Sequence, residues 1–146
     1  MKLTSTHHLR APRDRVHAGL TDPAVLQQLI TGCEKIVPTG PDSYDAHLKL
    51  TIAGIEGRHV AHLQLREIRP PTDCTLLVEA RGGPGSVKGS VRVRLEERAG
   101  GTDAVCDAEV TVGGLLAAFA SNQVGPATER ALTNFFRRLE AIAGKQ

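Results

Sequence analysis

Alternation of apolar and polar side chains is the feature that most restricts what this chain can fold into. Between residues 43 and 52 apolar side chains occupy every second position, and Asp45, His47 and Lys49 stand between them. The same period of two recurs along much of the chain, which predicts an antiparallel sheet with one covered face. The predicted strands comprise residues 2–10, 33–37, 43–52, 58–68, 74–81, 87–95 and 103–112.

Two short helices are predicted between the first two strands. Pro12 suits the first turn of a helix, so we expect one over residues 13–20. Asp22 is a favourable N-cap, and Pro23 begins a second short helix that ends at Gly32.

The C-terminal part of the chain changes from a period of two to the period of a helix. We expect one long helix over residues 115–143 that covers the sheet. Pro126 lacks a backbone donor and should kink this helix near Asn122. We interpret the apolar stripe as core packing; it comprises Leu132, Phe135, Phe136, Leu139 and Ile142, with Leu116 and Phe119 upstream.

Length and composition restrict the class of protein. The 146 residues are expected to form a single α+β domain over residues 1–146. A net charge of +2, one tyrosine and three phenylalanines give no basic aromatic platform for nucleic acid. There is no apolar leader and no run of 18 apolar residues, so we expect a cytoplasmic protein with no signal peptide or membrane span. Cys33, Cys74 and Cys106 lack zinc or disulfide spacing and are expected to be reduced.

The segment GGPGSVKGS, residues 82–90, superficially resembles a phosphate-binding loop. Lys88 precedes the last glycine instead of following it, and the next residues alternate like a strand. Because no helix follows to hold a phosphate at its N-terminus, we interpret this segment as a glycine-rich turn between two strands.

Three longer segments give the chain a resemblance to a known family. They are LRAPRDRVHAGLTDPAVLQQLITGCEKI at residues 9–36, IRPP at residues 68–71, and GSVRVRLEERAGGTDAVCDAEVTVGG at residues 89–114. In order and spacing they resemble the CoxG family of carbon monoxide dehydrogenase subunits, over almost the whole chain. The family usually has the sequence PGCE at this point, and here Thr31 replaces its proline. Some members carry a further C-terminal tail that reaches the membrane, which we do not expect here.

The resemblance implies the helix-grip fold of START-like (SRPBCC) proteins. In this fold a curved antiparallel sheet of about seven strands wraps a long C-terminal helix, and two short helices follow strand 1. The characteristic site is a cavity between the sheet and that helix, apolar with a few directed polar groups. Small inward residues and scarce aromatic ones favour such a cavity over a closely seated helix.

The residues expected to contact a ligand come from the inward rows of the strands and from the C-terminal helix. They are His7, Tyr44, Leu48, Leu50, Ile52, His59, Ala61, Leu63, Val78, Val91, Val93, Cys106, Ala108, Val110, Leu116, Phe119, Gln123 and Ala127.

The polar inward positions are the candidate specificity groups. His7 or His59 could donate to a carbonyl or quinone oxygen, although each taken singly fits a satisfied core or rim histidine as well. His59 and His62 point to opposite faces of a strand, so no joint metal site is predicted. Cys33 follows a helix C-terminus, which does not lower the pKa of a thiol, and we assign it a structural role.

The functional prediction rests on the resemblance together with the expected cavity. It is non-enzymatic carriage of a lipophilic small molecule, without a cofactor, in service of a molybdenum hydroxylase of the carbon monoxide dehydrogenase type. The resemblance alone implies a membrane quinone as guest and a transient contact at the inner membrane face. The apolar entrance Gly113-Gly114-Leu115-Leu116 with Phe119 is a gate, a lip for membrane or partner, or an ordinary hinge.

Two other classes stay open. One is a cyclase or hydrolase that uses His7 or His59 as acid and base. The other is an interaction or maturation protein that has a filled core, binds no guest, and uses its basic outer surface on a larger protein.

Overall fold

The computed structural model describes residues 1–52, 55–82, 85–114, 117 and 121–144. In chain order the elements are β1 (Lys2–Leu9), α1 (Arg13–Leu20), α2 (Pro23–Leu29), β2 (Cys33–Gly40), β3 (Ser43–Ile52), β4 (Ile55–Arg69), β5 (Asp73–Gly82), β6 (Gly85–Arg98), β7 (Gly101–Gly114), a 3₁₀ turn (Ser121–Gln123) and α3 (Val124–Ala143). None of these described helices is long and apolar enough to cross a bilayer.

All the strands belong to one open antiparallel sheet in the order β1-β7-β6-β5-β4-β3-β2. Only β1 is out of sequence order, and it pairs with β7 so that Leu3 lies opposite Ala108 and Leu9 opposite Thr102. The sheet is curved and the helices cover its concave face, which is the helix-grip fold. The alternation in the sequence therefore predicted the architecture correctly.

The strands are longer than predicted because their ladders continue almost to the tips of the hairpins. Ile52 still pairs with Ile55, and Gly82 with Gly85. Glycine-rich ends carry no periodic signal, so the sequence pattern underestimates these strands. In the segment 82–90, which was interpreted as a turn, Gly82 ends β5 and residues 85–90 already belong to β6, so most of the segment is strand. Residues 83–84 lie outside the described residues.

The three helices pack together over one end of the concave face. Leu132, Phe136 and Leu139 of α3 are buried there. Gly19 of α1 lies so close to α3 that an added Cβ would be 2.6 Å from Leu139 Cδ1. After α2, Gly32 adopts a φ of 77°, and its carbonyl accepts a 2.8 Å hydrogen bond from the Lys49 amide. Glycine is required at this turn, because a Cβ would lie 2.4 Å from the Lys49 oxygen.

The C-terminal helix differs from its prediction. The described helix begins at Val124, after the 3₁₀ turn, so Pro126 occupies its first turn instead of its interior. A missing N–H there removes no hydrogen bond of the described helix. The chain is helical at Ala117 and forms the 3₁₀ turn around Asn122, where the kink was predicted, and residues 118–120 between them lie outside the described residues. Leu116 and Phe119 lie outside the described residues.

Candidate functional site

The concave face has two halves that differ in how completely they are covered. We call the half beneath the packed helices the closed half, and its inward side chains are buried: Leu65, Cys74, Val93, Leu95, Ala104 and Cys106. The open half lies toward the β3–β4 and β5–β6 connections. Most of its inward side chains are half-buried: Leu50, Val78, Ala80, Val87, Val110 and Val112. Leu48 and Ala61 of the same region are buried in a second cluster with Ala46 and Leu63.

Among the described residues, the incomplete cover of the open half follows from where α1, α2 and α3 lie. In the first two turns of α3, Pro126, Ala127, Glu129 and Arg130 are exposed, whereas the buried residues of this helix begin at Leu132. The inward row of the open half is apolar and directly paired across strands, with Ala80 opposite Val87 and Val87 opposite Val112. The result is a continuous apolar wall that is partly accessible.

A cavity of about 60 Å³ lies where the two halves meet. Its lining comes from α1, α2, α3 and strands β4 to β6: Leu20, Leu26, Leu65, Cys74, Leu76, Val91, Val93, Leu132, Phe135 and Phe136. Every one of these side chains is apolar or a thiol, so the cavity offers no strong hydrogen-bonding partner. It has room for a short hydrocarbon terminus and not for a whole cofactor-sized guest.

The two buried cysteines of the closed half are expected to be unreactive at neutral pH. Burial, reinforced by Asp73, raises the pKa of Cys74 to about 11. Burial, with smaller contributions from Asp107 and Cys74, raises the pKa of Cys106 to about 12. Both remain thiols at neutral pH and behave as small apolar residues. Burial also raises the pKa of the half-exposed Cys33, whose Sγ donates to the Lys35 carbonyl at 3.6 Å.

His7 stands at the edge of the closed half, against the C-terminal helix. Its ring stacks on Phe136 with centroids 4.8 Å apart, and a 3.0 Å hydrogen bond joins its Nε2 to Ser5 Oγ. Burial lowers the pKa of His7, so the ring is neutral at pH 7. His7 is thus packed between a strand and a helix, as in a satisfied core position.

His59 stands at the other end, in the open half. It is half-buried and pairs with Leu48 across β3 and β4. Its Nε2 lies 3.5 Å from where a Cβ on Gly57 would be, so the ring extends over Gly57 toward the end of the sheet. Because Gly57 has no side chain, the imidazole has space there and a polar edge that faces the open half.

The other residues predicted to bind a ligand are distributed over both halves. Tyr44, Val78, Val91 and Val110 are half-buried, as is Leu50, whereas Leu48, Ala61, Leu63, Val93, Cys106 and Ala108 are buried. Among the predicted residues that the structure describes, Val91 and Val93 alone line the cavity itself. Gln123 and Ala127 are exposed, the side chain of Ile52 is not described, and Leu116 and Phe119 lie outside the described residues.

Several residues of this region are not among the predicted ligand contacts. Phe135 of α3, which lines the cavity, is interpreted in the sequence analysis as core packing, and Leu26 of α2 has no predicted role. The apolar positions of each helix are the signal that could have identified them. His17 of α1 is 3% exposed, and its Nε2–H donates to the Asp73 carbonyl at 2.9 Å, which ties α1 to the start of β5. Nothing local in the sequence identifies that partner, which lies 56 residues away.

A larger depression, about 690 Å³, lies on the outer face of the sheet. Much of its lining comes from outward rows, including His62, Gln64, Lys88 and Glu109. Charges of both signs and a wide opening distinguish it from an apolar ligand cavity. Within the described ranges, no three His, Cys, Asp or Glu side chains are grouped closely enough to hold a metal ion.

Solved structures share this architecture. A conserved protein from Geobacillus kaustophilus superposes with a TM-score of 0.91 at 27% identity, over 99% of this chain and 95% of that one. A protein from Chromobacterium violaceum gives a TM-score of 0.73 at 14% identity, over 99% of both chains. One from Rhizobium leguminosarum gives 0.72 at 22% identity, over 97% and 95%. The two last likenesses support the fold alone.

Sequence comparisons agree with the resemblance carried by the three segments. No curated protein sequence matches the chain. A family model, that of the CoxG subunit of carbon monoxide dehydrogenase, matches residues 6–144 and so spans nearly every element of the fold. The chain therefore belongs to the CoxG family of carbon monoxide dehydrogenase subunits.

Proposed function

We propose that this protein binds a lipophilic small molecule on the open half of the concave face and delivers it without transforming it. The observation that carries the proposal is the apolar wall of the open half, left half-buried and continuous with an apolar cavity. Apolar surface that folding leaves partly hydrated gains most from a guest that covers it.

The arrangement of the histidines supports binding over catalysis. His7 lies against Phe136, and among the described residues its only hydrogen bond is to Ser5. A nucleophile–base pair needs a third group that orients the base and a space in which the substrate can react. His59 has space beside it, but no nucleophilic side chain is hydrogen-bonded to it within the described part of the chain.

Family membership supports a link to a carbon monoxide dehydrogenase of the molybdenum hydroxylase type. In this account the protein carries a guest between that enzyme and a membrane, and an isoprenoid quinone is the guest that fits both. Its ring oxygens could accept from His59, and its chain would cover the apolar wall. A pull-down with the purified hydroxylase tests the partner independently of the guest.

Two valine substitutions test the site directly. Val78 and Val105 are both half-buried in the sheet, but Val78 faces the concave side and Val105 the outer side. Calorimetric titration with a short-chain quinone should give binding by the native protein and by Val105→Asn. Val78→Asn should weaken binding about tenfold or more, because its amide would face the guest without a partner.

Either of two results would contradict the proposal. One is a native protein that takes up neither the quinone nor a simple lipid at any accessible concentration. The other is equal loss in Val78→Asn and Val105→Asn, which would assign the effect to the stability of the sheet. Urea unfolding of both variants separates that case from a specific loss of binding.

A further inference from the structure

We call the apolar surface that runs from the cavity to His59 the guest path. Its two ends differ in chemistry, and this difference favours one orientation of a bound guest. At the inner end, the cavity is lined by ten side chains that are apolar or a buried thiol. The polar groups near that end are already bonded: His7 to Ser5, and His17 to the Asp73 carbonyl. A polar head placed there would lose its hydration and find no free donor.

The outer end, in contrast, has a directed polar group. The imidazole of His59 lies over Gly57 on the inward row of β4, with Nε2 toward the end of the sheet. It is half-buried, and no hydrogen bond joins it to another side chain in the described part of the chain, so a ligand atom can reach it. An acceptor oxygen on a guest could receive a hydrogen bond from this nitrogen.

The distance between the two ends suits a long extended chain. On β4, six residues of strand separate His59 from Leu65, which lines the cavity, and this corresponds to about 20 Å. On β6, Val87 faces the open half and Val91 lines the cavity. Between them the inward position is Gly89, which has no side chain to interrupt the path. Val78 lies opposite Gly89 and continues the apolar wall.

We propose that the guest is a single-chain amphiphile bound tail-first, with the hydrocarbon terminus in the cavity beside Leu76 and Val91 and an acceptor oxygen of the head at His59. This rests on the proposed function and adds the class and the direction of its ligand. Each methylene that enters the apolar path should tighten binding about fourfold, until the chain reaches the cavity floor.

The experiment uses hexadecanoate, unlabelled, with ¹³C-methyl-labelled native protein. Isotope-filtered NOE spectra should connect the terminal methyl of hexadecanoate to the methyls of Leu76 and Val91. The methylene next to its carboxylate should connect to the methyls of Leu50, which lies opposite Gly57 beside His59. The opposite assignment, or terminal-methyl contacts confined to Leu50, would overturn tail-first binding. If hexadecanoate and shorter acids shift no methyl signal on the concave face, the proposed function fails instead.

The contribution of His59 is tested with a matched histidine. His59→Ala should weaken hexadecanoate binding about tenfold, because a hydrogen bond to a charged oxygen is lost. His47→Ala, an equally half-buried position on the outward row of β3, should leave the affinity unchanged. Equal affinities for the native protein and His59→Ala, with the NOE contacts preserved, would overturn the assignment of the head to His59.

Discussion

The two halves of the concave face are built from the same strands and the same kinds of residue, yet only one of them is a finished core. On β6, Val93 is 4% exposed beneath the helices, whereas Val87, six residues earlier on the same inward row, is half-buried. The difference lies in the cover, because the buried residues of α3 begin only at Leu132. The closed half therefore provides stability, and the open half keeps apolar surface that we propose a guest covers.

The largest expected loss of stability comes from removing a side chain at the centre of the closed half. Leu139→Ala deletes a side chain that is fully buried between α1 and the sheet. It should lower the free energy of unfolding by about 3–5 kcal/mol, from lost burial and a residual cavity. Urea denaturation followed by circular dichroism measures this loss, and a value below about 1 kcal/mol would mean that the closed half is not the core.

The reactivity of the three cysteines tests the burial of the closed half without any mutation. At pH 8 the raised pKa values of Cys74 and Cys106 leave very little thiolate, and burial also blocks access. Cys33, which is half-exposed, should be alkylated first, and the other two about a hundredfold or more slowly. Mass spectrometry of timed iodoacetamide reactions measures the rates. Rapid modification of Cys74 would show that the closed half opens readily.

A matched pair of valines compares the halves on one strand. Val93→Ala should cost about 2 kcal/mol, since two buried carbons are lost. Val87→Ala should cost less than about 1 kcal/mol in the free protein, because that side chain is only half-buried. Its cost should rise once a guest is bound. Equal costs for both variants in the free protein would remove the distinction on which the account depends.

The smallest expected effect is a pH dependence at the border of the closed half. Burial lowers the pKa of His7 in the folded state, so the unfolded state binds the proton more readily. The stability that neutral His7 contributes is complete above pH of about 6.5 and declines as the pH falls below it. His7→Phe keeps the stacking on Phe136 and should flatten that slope in urea midpoints measured from pH 7.5 to 5. An unchanged slope would assign it to other groups.

The sequence predicts the sheet well because the alternation within each strand identifies the residues that face inward. The alternation at Tyr44, Ala46 and Leu48 identifies a covered face whatever covers it. It predicts the helix less well, because propensity alone does not tell whether Pro126 lies in an interior turn or in the first one. The described helix starts at Val124, and that choice depends on the chain before it.

The site was harder to predict for a related reason. Small residues such as Ala61 and Ala108 suggested empty volume, but they are buried in close packing, and the cavity is lined by Leu, Val and Phe. Whether a small side chain leaves space depends on how near the facing element lies, and this is set by contacts such as Gly19 with Leu139. Such contacts join distant parts of the chain and leave no local signal.

The most direct test of the central claim is native mass spectrometry of the freshly purified protein, followed by organic extraction and identification of what is released. We expect a fraction of the protein to be heavier by one lipophilic molecule. This fraction should be depleted in Val78→Asn and retained in Val105→Asn. A protein that is always empty, and that gains no thermal stability from added quinones or single-chain lipids, would contradict it. The open half would then be a surface for a protein partner, and the hydroxylase pull-down would become the decisive assay.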